Sequence, residues 1–254
     1  MLEENVVLLL TACVTPPTQM IFTQITNSTE REQRYIYCLK WYIANSKYKK
    51  IVFCDNSNCS PFPGIFEYAE KHNKQLEFIS FHGDNKMTQT YGKGYGDGEI
   101  INYAINNSKL IKESQYFIKI SGRYVFDNID TVFNYKKNRD FYYKVGLNKK
   151  NIFRKDERTT VDTVIFSSNV DCFKDFFGKA HLDINDQNGV FYENVFSKIL
   201  IENKTKHWFT TSRMARLPNY CGNKSGTMGV DYKKKNPFVA VLRNILNKLG
   251  FYQV

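Results

Sequence analysis

An α/β architecture with a mostly parallel sheet flanked by helices is predicted by three features of the sequence. Short apolar runs alternate with segments of helical spacing through the first 120 residues. The runs are rich in β-branched residues, as strands covered on both faces are. Each run ends in a polar or turn-forming cluster rather than in another apolar residue.

The first run, Asn5–Cys13, is a buried strand that stops at Pro16-Pro17. Asn27-Ser28-Thr29-Glu30 has the character of a helix cap, and Ile36, Leu39, Trp41, Tyr42 and Ile43 continue at helical spacing to Asn45. Lys50–Cys54 is the second strand, closed by Asp55-Asn56-Ser57-Asn58. Phe66–Lys74 is the second helix and Leu76–Phe81 the third strand. Four glycines in seven residues, Gly92–Gly98, predict a loop that feeds a helix over Glu99–Ile111. Tyr116–Ile120 is the fourth strand and ends at Ser121-Gly122-Arg123-Tyr124. Later segments are less regular: strands over Phe141–Val145 and Thr163–Phe166, helices over Phe173–Phe177 and Val190–Ile201.

A chain of 254 residues with 20 Phe and 17 Tyr can bury a sizeable core, which excludes general disorder. No repeat is visible, and a main domain is expected over 1–230. Residues 231–254 differ in character. Lys233-Lys234-Lys235 precede Phe238, Val239, Val241, Leu242, Ile245, Leu246 and Leu249, an apolar face at helical spacing with Arg243 and Lys248 on its polar side. A basic amphipathic helix over 233–249 suits an anionic membrane surface, or packs as a final helix on the domain.

The formal net charge is +11. Such a surface attracts nucleotides, nucleic acid or anionic lipid without choosing among them. The aromatics do not interleave with cations in a stacking motif, so no nucleic-acid partner is expected. Six cysteines without a C-x-x-C pair and four histidines argue against a zinc site. The acidic start Met1-Leu2-Glu3-Glu4 is unlike a secretion signal, and Val6–Leu10 is too short to cross a bilayer. A reduced, cytoplasmic protein, peripheral on the inner face of the membrane, is expected.

Ligands of such sheets bind at the carboxyl ends of the strands, so the loops after Cys13, Cys54, Phe81 and Ile120 should line one crevice. The glycine-rich segment lets backbone approach a ligand, its helix favours an anion, and Lys93 adds charge. Asp97 and Glu99 in the same segment suit sugar hydroxyls better than phosphate.

On these residues a resemblance can be stated. The first strand, the helix with Arg31 and Arg34, the strand ending Cys54-Asp55-Asn56, and above all GKGYGDGEIINYAINNSKLIKESQYFIKISGRY resemble bacterial capsule and lipopolysaccharide glycosyltransferases of the GT-A type, over residues 5–130. The resemblance implies a GT-A-like (Rossmann-like) sheet and a nucleotide-sugar donor, a UDP-hexose foremost. It also implies a glycan or lipid-linked glycan acceptor, in capsule or O-antigen synthesis. Thr11, Ala12, Arg31, Asp55, Lys93, Gly94, Glu99, Lys119, Ser121, Gly122 and Arg123 are the implied donor-binding residues. Where the family carries Asp-x-Asp, this chain reads Ser121-Gly122-Arg123. Arg123 is therefore expected to replace a divalent ion on the diphosphate, although Asp127 leaves a Mn or Mg site open. Inversion needs a base for the acceptor hydroxyl, with Glu193 the first candidate and Asp186 the second. Sugar nucleotidyl transfer is the enzymatic alternative, and a nucleic-acid-binding protein the non-enzymatic one. The segment after the first strand, Thr-Ala-Cys-Val-Thr-Pro-Pro, counts against nucleotidyl transfer.

Overall fold

The computed structural model describes residues 3–18, 20, 23, 25–135, 139–147, 159–203, 209–211 and 245. The amphipathic segment 233–249, with Lys233, Lys234 and Lys235, lies outside them except for Ile245, as do His207 and residues 220–227. Among the described residues no helix is long and apolar enough to cross a membrane.

Seven strands form one sheet in the order β3-β2-β1-β4-β6-β5-β7. They are β1 Val6–Ala12, β2 Lys50–Asp55, β3 Gln75–Ser80, β4 Tyr116–Ser121, β5 Phe141–Leu147, β6 Thr159–Asn169 and β7 Phe209–Thr211. β1 to β4 are parallel, β6 is antiparallel to β4 and β5, and β7 is parallel to β5, so β6 alone runs against the rest. The predicted mostly parallel α/β sheet is thus present, and its first four strands fall within a residue or two of their expected bounds.

The eight helices described are α1 Ser28–Asn45, α2 Ile65–Lys71, α3 Asn85–Tyr91, α4 Lys93–Asn107, α5 Lys109–Lys112, α6 Ile129–Val132, the short α7 Val170–Cys172, and α8 Tyr192–Glu202. Strand alternation divides the core. Val6, Leu8 and Leu10 of β1 pack with Tyr35, Leu39, Tyr42 and Ile43 of α1, whereas Val7 and Leu9 pack on the other face with Ile101, Ala104 and Ile105 of α4 and Phe196 of α8. The register pairs Thr11 with both Cys54 and Ser121, which brings the ends of β1, β2 and β4 level.

The glycine-rich segment departs from expectation. Gly92–Gly98 is not a loop: α4 begins at Lys93 and runs through it. Its glycines remove bulk where the helix meets its neighbours. A Cβ on Gly98 would lie 2.3 Å from Cβ of His181, and one on Gly94 3.3 Å from Ile184 and Tyr192. Only Gly92, with φ +105°, needs the conformational freedom of glycine, because it turns the chain from α3 into α4. The helix expected over Glu99–Ile111 is broken at Ser108, whose side chain caps α5 by accepting from the Ile111 amide. The helix expected over Phe173–Phe177 is a wide π turn continuing α7. The one over Val190–Ile201 begins two residues later, where the Asn194 side chain accepts from the Phe191 amide.

Candidate active site

A cleft of about 290 Å³ opens over the ends of β1 and β4. Its lining includes Thr11, Ala12 and Cys13 from β1 and its loop, Ser121 at the end of β4, and Arg123 and Tyr124 after it. Lys93, Gly94, Gly96 and Asp97 come from α4, and Asp186 and Glu193 from the segment around the start of α8. Of the loops expected to share a crevice, those after β1, β2 and β4 line it, while no residue of the loop directly after Phe81 does; Ser121, Arg123, Tyr124 and Lys93 share it.

Arg123 sits on its wall. Its guanidinium lies 5.8 Å from the Tyr124 ring centroid, and its Nη1 is buried with no hydrogen-bond partner among the described residues. A buried guanidinium nitrogen without an acceptor is costly unless a ligand supplies one. Lys93 adds an exposed second cation at the cleft mouth.

A chain of polar contacts runs from beneath the cleft floor to Glu193. Lys119 is wholly buried and pairs with Asp97 Oδ2. It also donates to the Ser121 hydroxyl at 3.1 Å and to the Thr163 carbonyl at 2.8 Å. Thr11 donates to Asp97 Oδ1 at 2.8 Å, and the Thr163 hydroxyl donates to Glu193 Oε1 at 2.9 Å. Glu193, in the first turn of α8, thus faces the cleft with one oxygen fixed. Its position suits a general base.

Several expected donor contacts have other roles. Asp55 is fully buried and outside the cleft. Its carboxylate accepts from the amides of Val14 at 2.8 Å, Ser57 at 2.7 Å and Cys59 at 3.2 Å, tying together the loops after β1 and β2. The next residue, Asn56, lines the cleft instead. Glu99 is also outside, since it accepts from the Asp84 amide and from Asn56 Nδ2. Lys119 lies beneath the floor rather than in it. Gly122 lies behind the wall, where its amide donates to the Thr11 carbonyl and a Cβ would come within 2.9 Å of that oxygen. Arg31 reaches the cleft, yet its guanidinium holds the β1–α1 connection through the carbonyls of Cys13 at 2.7 Å and Ile25 at 3.0 Å.

Asp186 lines the cleft but faces the start of α4, where its Oδ2 is 3.5 Å from the Gly94 amide. Burial raises its carboxyl above the ordinary range, and the Gly94 amide and Lys93 pull it back. That is the position of a helix-terminus anion, whereas Glu193, which lines the same cleft, is bonded to the Thr163 hydroxyl. Burial pushes the Cys13 thiol up to about 11, which keeps it protonated and un-nucleophilic near neutral pH.

Among the described residues, the end of β4 offers no set of carboxylates for a divalent ion: Ser121 closes the strand, and Gly122 and Arg123 follow it. Asp127 is exposed and outside the cleft, and Asp97 is engaged by Lys119 and Thr11. Among the described residues no group of three His, Cys, Asp or Glu side chains is placed to bind a metal.

Sequence reading singled out Arg123, Lys93 and Glu193 but passed over Asn56, Thr88, Thr163 and Tyr192, which also line the cleft. Tyr192 adjoins Glu193, and Thr163 lies within an expected strand. Neither type of residue announces chemistry by itself.

No protein-family model and no curated protein sequence matches the chain. Among solved structures, it is similar to core-mannan synthase A of Aspergillus fumigatus in its Mn/GDP form, with 11% identity and a TM-score of 0.49, over 98% of this chain and 86% of that one. It is also similar to the glycosyltransferase GlyE of Streptococcus pneumoniae, with 8% identity and a TM-score of 0.43, over 81% of this chain and 44% of that one. Likeness at this level assigns no residue and no activity to the present chain.

Proposed function

We propose that the protein is a glycosyltransferase that takes a sugar from a nucleotide-sugar donor, binds the donor diphosphate in the cleft over β1 and β4, and inverts the anomeric centre. One observation carries this reading: Nη1 of Arg123, buried and without a hydrogen-bond partner among the described residues, belongs to a cleft that Glu193 also lines. A guanidinium in that state calls for an anion, and a planar fork matches phosphate oxygens.

The chemistry follows from the positions. The acceptor hydroxyl attacks the anomeric carbon as Glu193 takes its proton. The new C–O bond forms while the bond from that carbon to the diphosphate oxygen breaks, and the electron pair leaves with the diphosphate. Arg123 and Lys93 receive the negative charge that develops there, the role a metal ion fills elsewhere. Glu193 is held for this by Thr163, and Thr163 by the sheet.

A UDP-hexose as donor, and a bacterial capsular or O-antigen glycan, free or lipid-linked, as acceptor, are part of the proposal and rest on the sequence resemblance. Cytoplasmic placement on the inner membrane face through residues 233–249, distinct from a main domain over 1–230, is also part of the proposal and rests on the cysteine usage and the basic amphipathic pattern of that segment. Deleting 233–254 is expected to release the protein from anionic liposomes.

The test is a thermal-shift panel of UDP, GDP, CMP and dTDP, each with Mn²⁺ and with EDTA. A ligand that binds only the folded state raises the melting temperature. One nucleotide is expected to stabilise equally in both conditions. No shift with any of them would remove the reading.

A further inference from the structure

Four aromatic residues line the cleft: Tyr35, Tyr124, Phe191 and Tyr192. The three tyrosines are buried, and Phe191 alone is exposed, at 38%. Val190 beside it is exposed as well. An apolar pair left open at the rim of a cleft points to a ligand that covers it.

The backbone of Phe191 is fixed on both sides. Before it, Asn185 and Val190 exchange two backbone hydrogen bonds of 2.9 Å, which close the turn through Asp186–Asn188. After it, the Phe191 amide donates to Asn194 Oδ1 at 2.9 Å, and the Phe191 carbonyl accepts from the amides of Asn194 and Val195 at 2.9 and 3.2 Å. Phe191 is thus the cap of α8, and Glu193, bonded to Thr163, stands in the first turn. One rigid turn presents an aromatic residue and a carboxylate to the same cleft. A pyranose has the two matching parts, a face of C–H groups and a rim of hydroxyls.

Two considerations favour the acceptor over the donor as the occupant. The donor diphosphate is held at Arg123, whose Nη1 is buried, whereas the acceptor enters and leaves past the base and needs open surface. The hydroxyl that Glu193 deprotonates also belongs to the acceptor, so the group carrying it lies at the start of α8.

Resting on the glycosyltransferase reading, we infer that Phe191 is a substrate-binding residue whose ring stacks on the apolar face of the acceptor's terminal sugar, so that a hydroxyl of that sugar meets Glu193. The acceptor is therefore a sugar rather than a phosphate or a protein hydroxyl, neither of which offers a face to the ring.

The probes are the methyl glycosides of glucose, galactose, mannose and N-acetylglucosamine, because the platform reads a single sugar ring. The donor is the sugar nucleotide that wild type binds most tightly by titration calorimetry among UDP-glucose, UDP-galactose, UDP-N-acetylglucosamine and GDP-mannose. For the best glycoside, Phe191→Ala is expected to raise KM about tenfold, with kcat within about twofold and donor affinity unchanged. Phe191→Trp keeps an aromatic face and should hold KM near the wild-type value. Because the side chain is exposed, the melting temperature of Phe191→Ala should move by less than about 2 °C. An unchanged KM in Phe191→Ala, an equal rise in Phe191→Trp, or a larger fall in melting temperature overturns the inference while leaving the donor site intact. So does a loss of donor affinity in Phe191→Ala, which would put the nucleotide on the ring. So too does a wild type that binds a donor but transfers to none of the glycosides. If wild type binds none of the sugar nucleotides, the glycosyltransferase reading fails first and this inference with it.

Discussion

The ammonium of Lys119, on β4, is paired with the carboxylate of Asp97, on α4, beneath the cleft floor. Lys119 is wholly buried, and its other two hydrogen bonds run to Ser121 and Thr163. One side chain therefore fixes β4, β6 and α4 relative to one another at the site.

Lys119→Met is expected to destabilise the protein by about 3 kcal/mol, because it leaves Asp97 without its counter-ion and the Thr163 carbonyl without its donor. Urea denaturation checks this. The double variant Lys119→Met/Asp97→Leu should recover part of the loss, since an apolar pair carries no desolvation penalty. A single variant as stable as wild type would show that the pair contributes nothing.

Glu193→Gln keeps the shape and the Thr163 contact but removes the base. Turnover is expected to fall at least about 100-fold with donor affinity unchanged. Steady-state rates and nucleotide titration measure the two separately. Turnover near that of wild type would move the base to another group.

His181 packs against Gly98, and its Nδ1 stands 3.3 Å from Asn102 Nδ2. Burial lowers its pKa below 6.5. The folded state therefore binds a proton less readily than the unfolded one, so stability is complete above about pH 6.5 and is lost as pH falls below it. His181→Gln should flatten that acid limb in melts between pH 5 and 7. An identical pH profile would contradict the assignment.

Gly98→Ala sets helix propensity against packing. Alanine favours a helix by about 1 kcal/mol, but its Cβ would stand 2.3 Å from Cβ of His181, a contact that backbone must move to relieve. Packing should prevail, with a net loss of about 1–3 kcal/mol in denaturant titration. A stabilised variant would mean that α4 shifts freely.

The first half of the fold was legible because β1, β2, β3 and β4 are short apolar runs with turn residues at their ends, a signal that depends on local sequence alone. The site was legible where a charged residue follows such a run, as Arg123 does. It misled where the partner lies far along the chain. Asp55 reads as a ligand contact, but its oxygens are used by Val14, 41 residues away, and by its own turn. Gly92–Gly98 reads as a loop because the residues that need its missing side chains, His181, Ile184 and Asp186, lie some 90 positions later. Tyr192 and Thr163 were invisible, since burial and side-chain pairing are properties of the fold.

The most direct test of the central claim is calorimetric titration of wild type and Arg123→Met with the nucleoside diphosphate identified by the thermal panel, in EDTA throughout. If the guanidinium grips the diphosphate, wild type binds in EDTA, and Arg123→Met retains its fold by circular dichroism but loses at least about 1.4 kcal/mol, a factor of ten, in affinity. Equal affinity in the two proteins, or binding by wild type only after Mn²⁺ is restored, would contradict it.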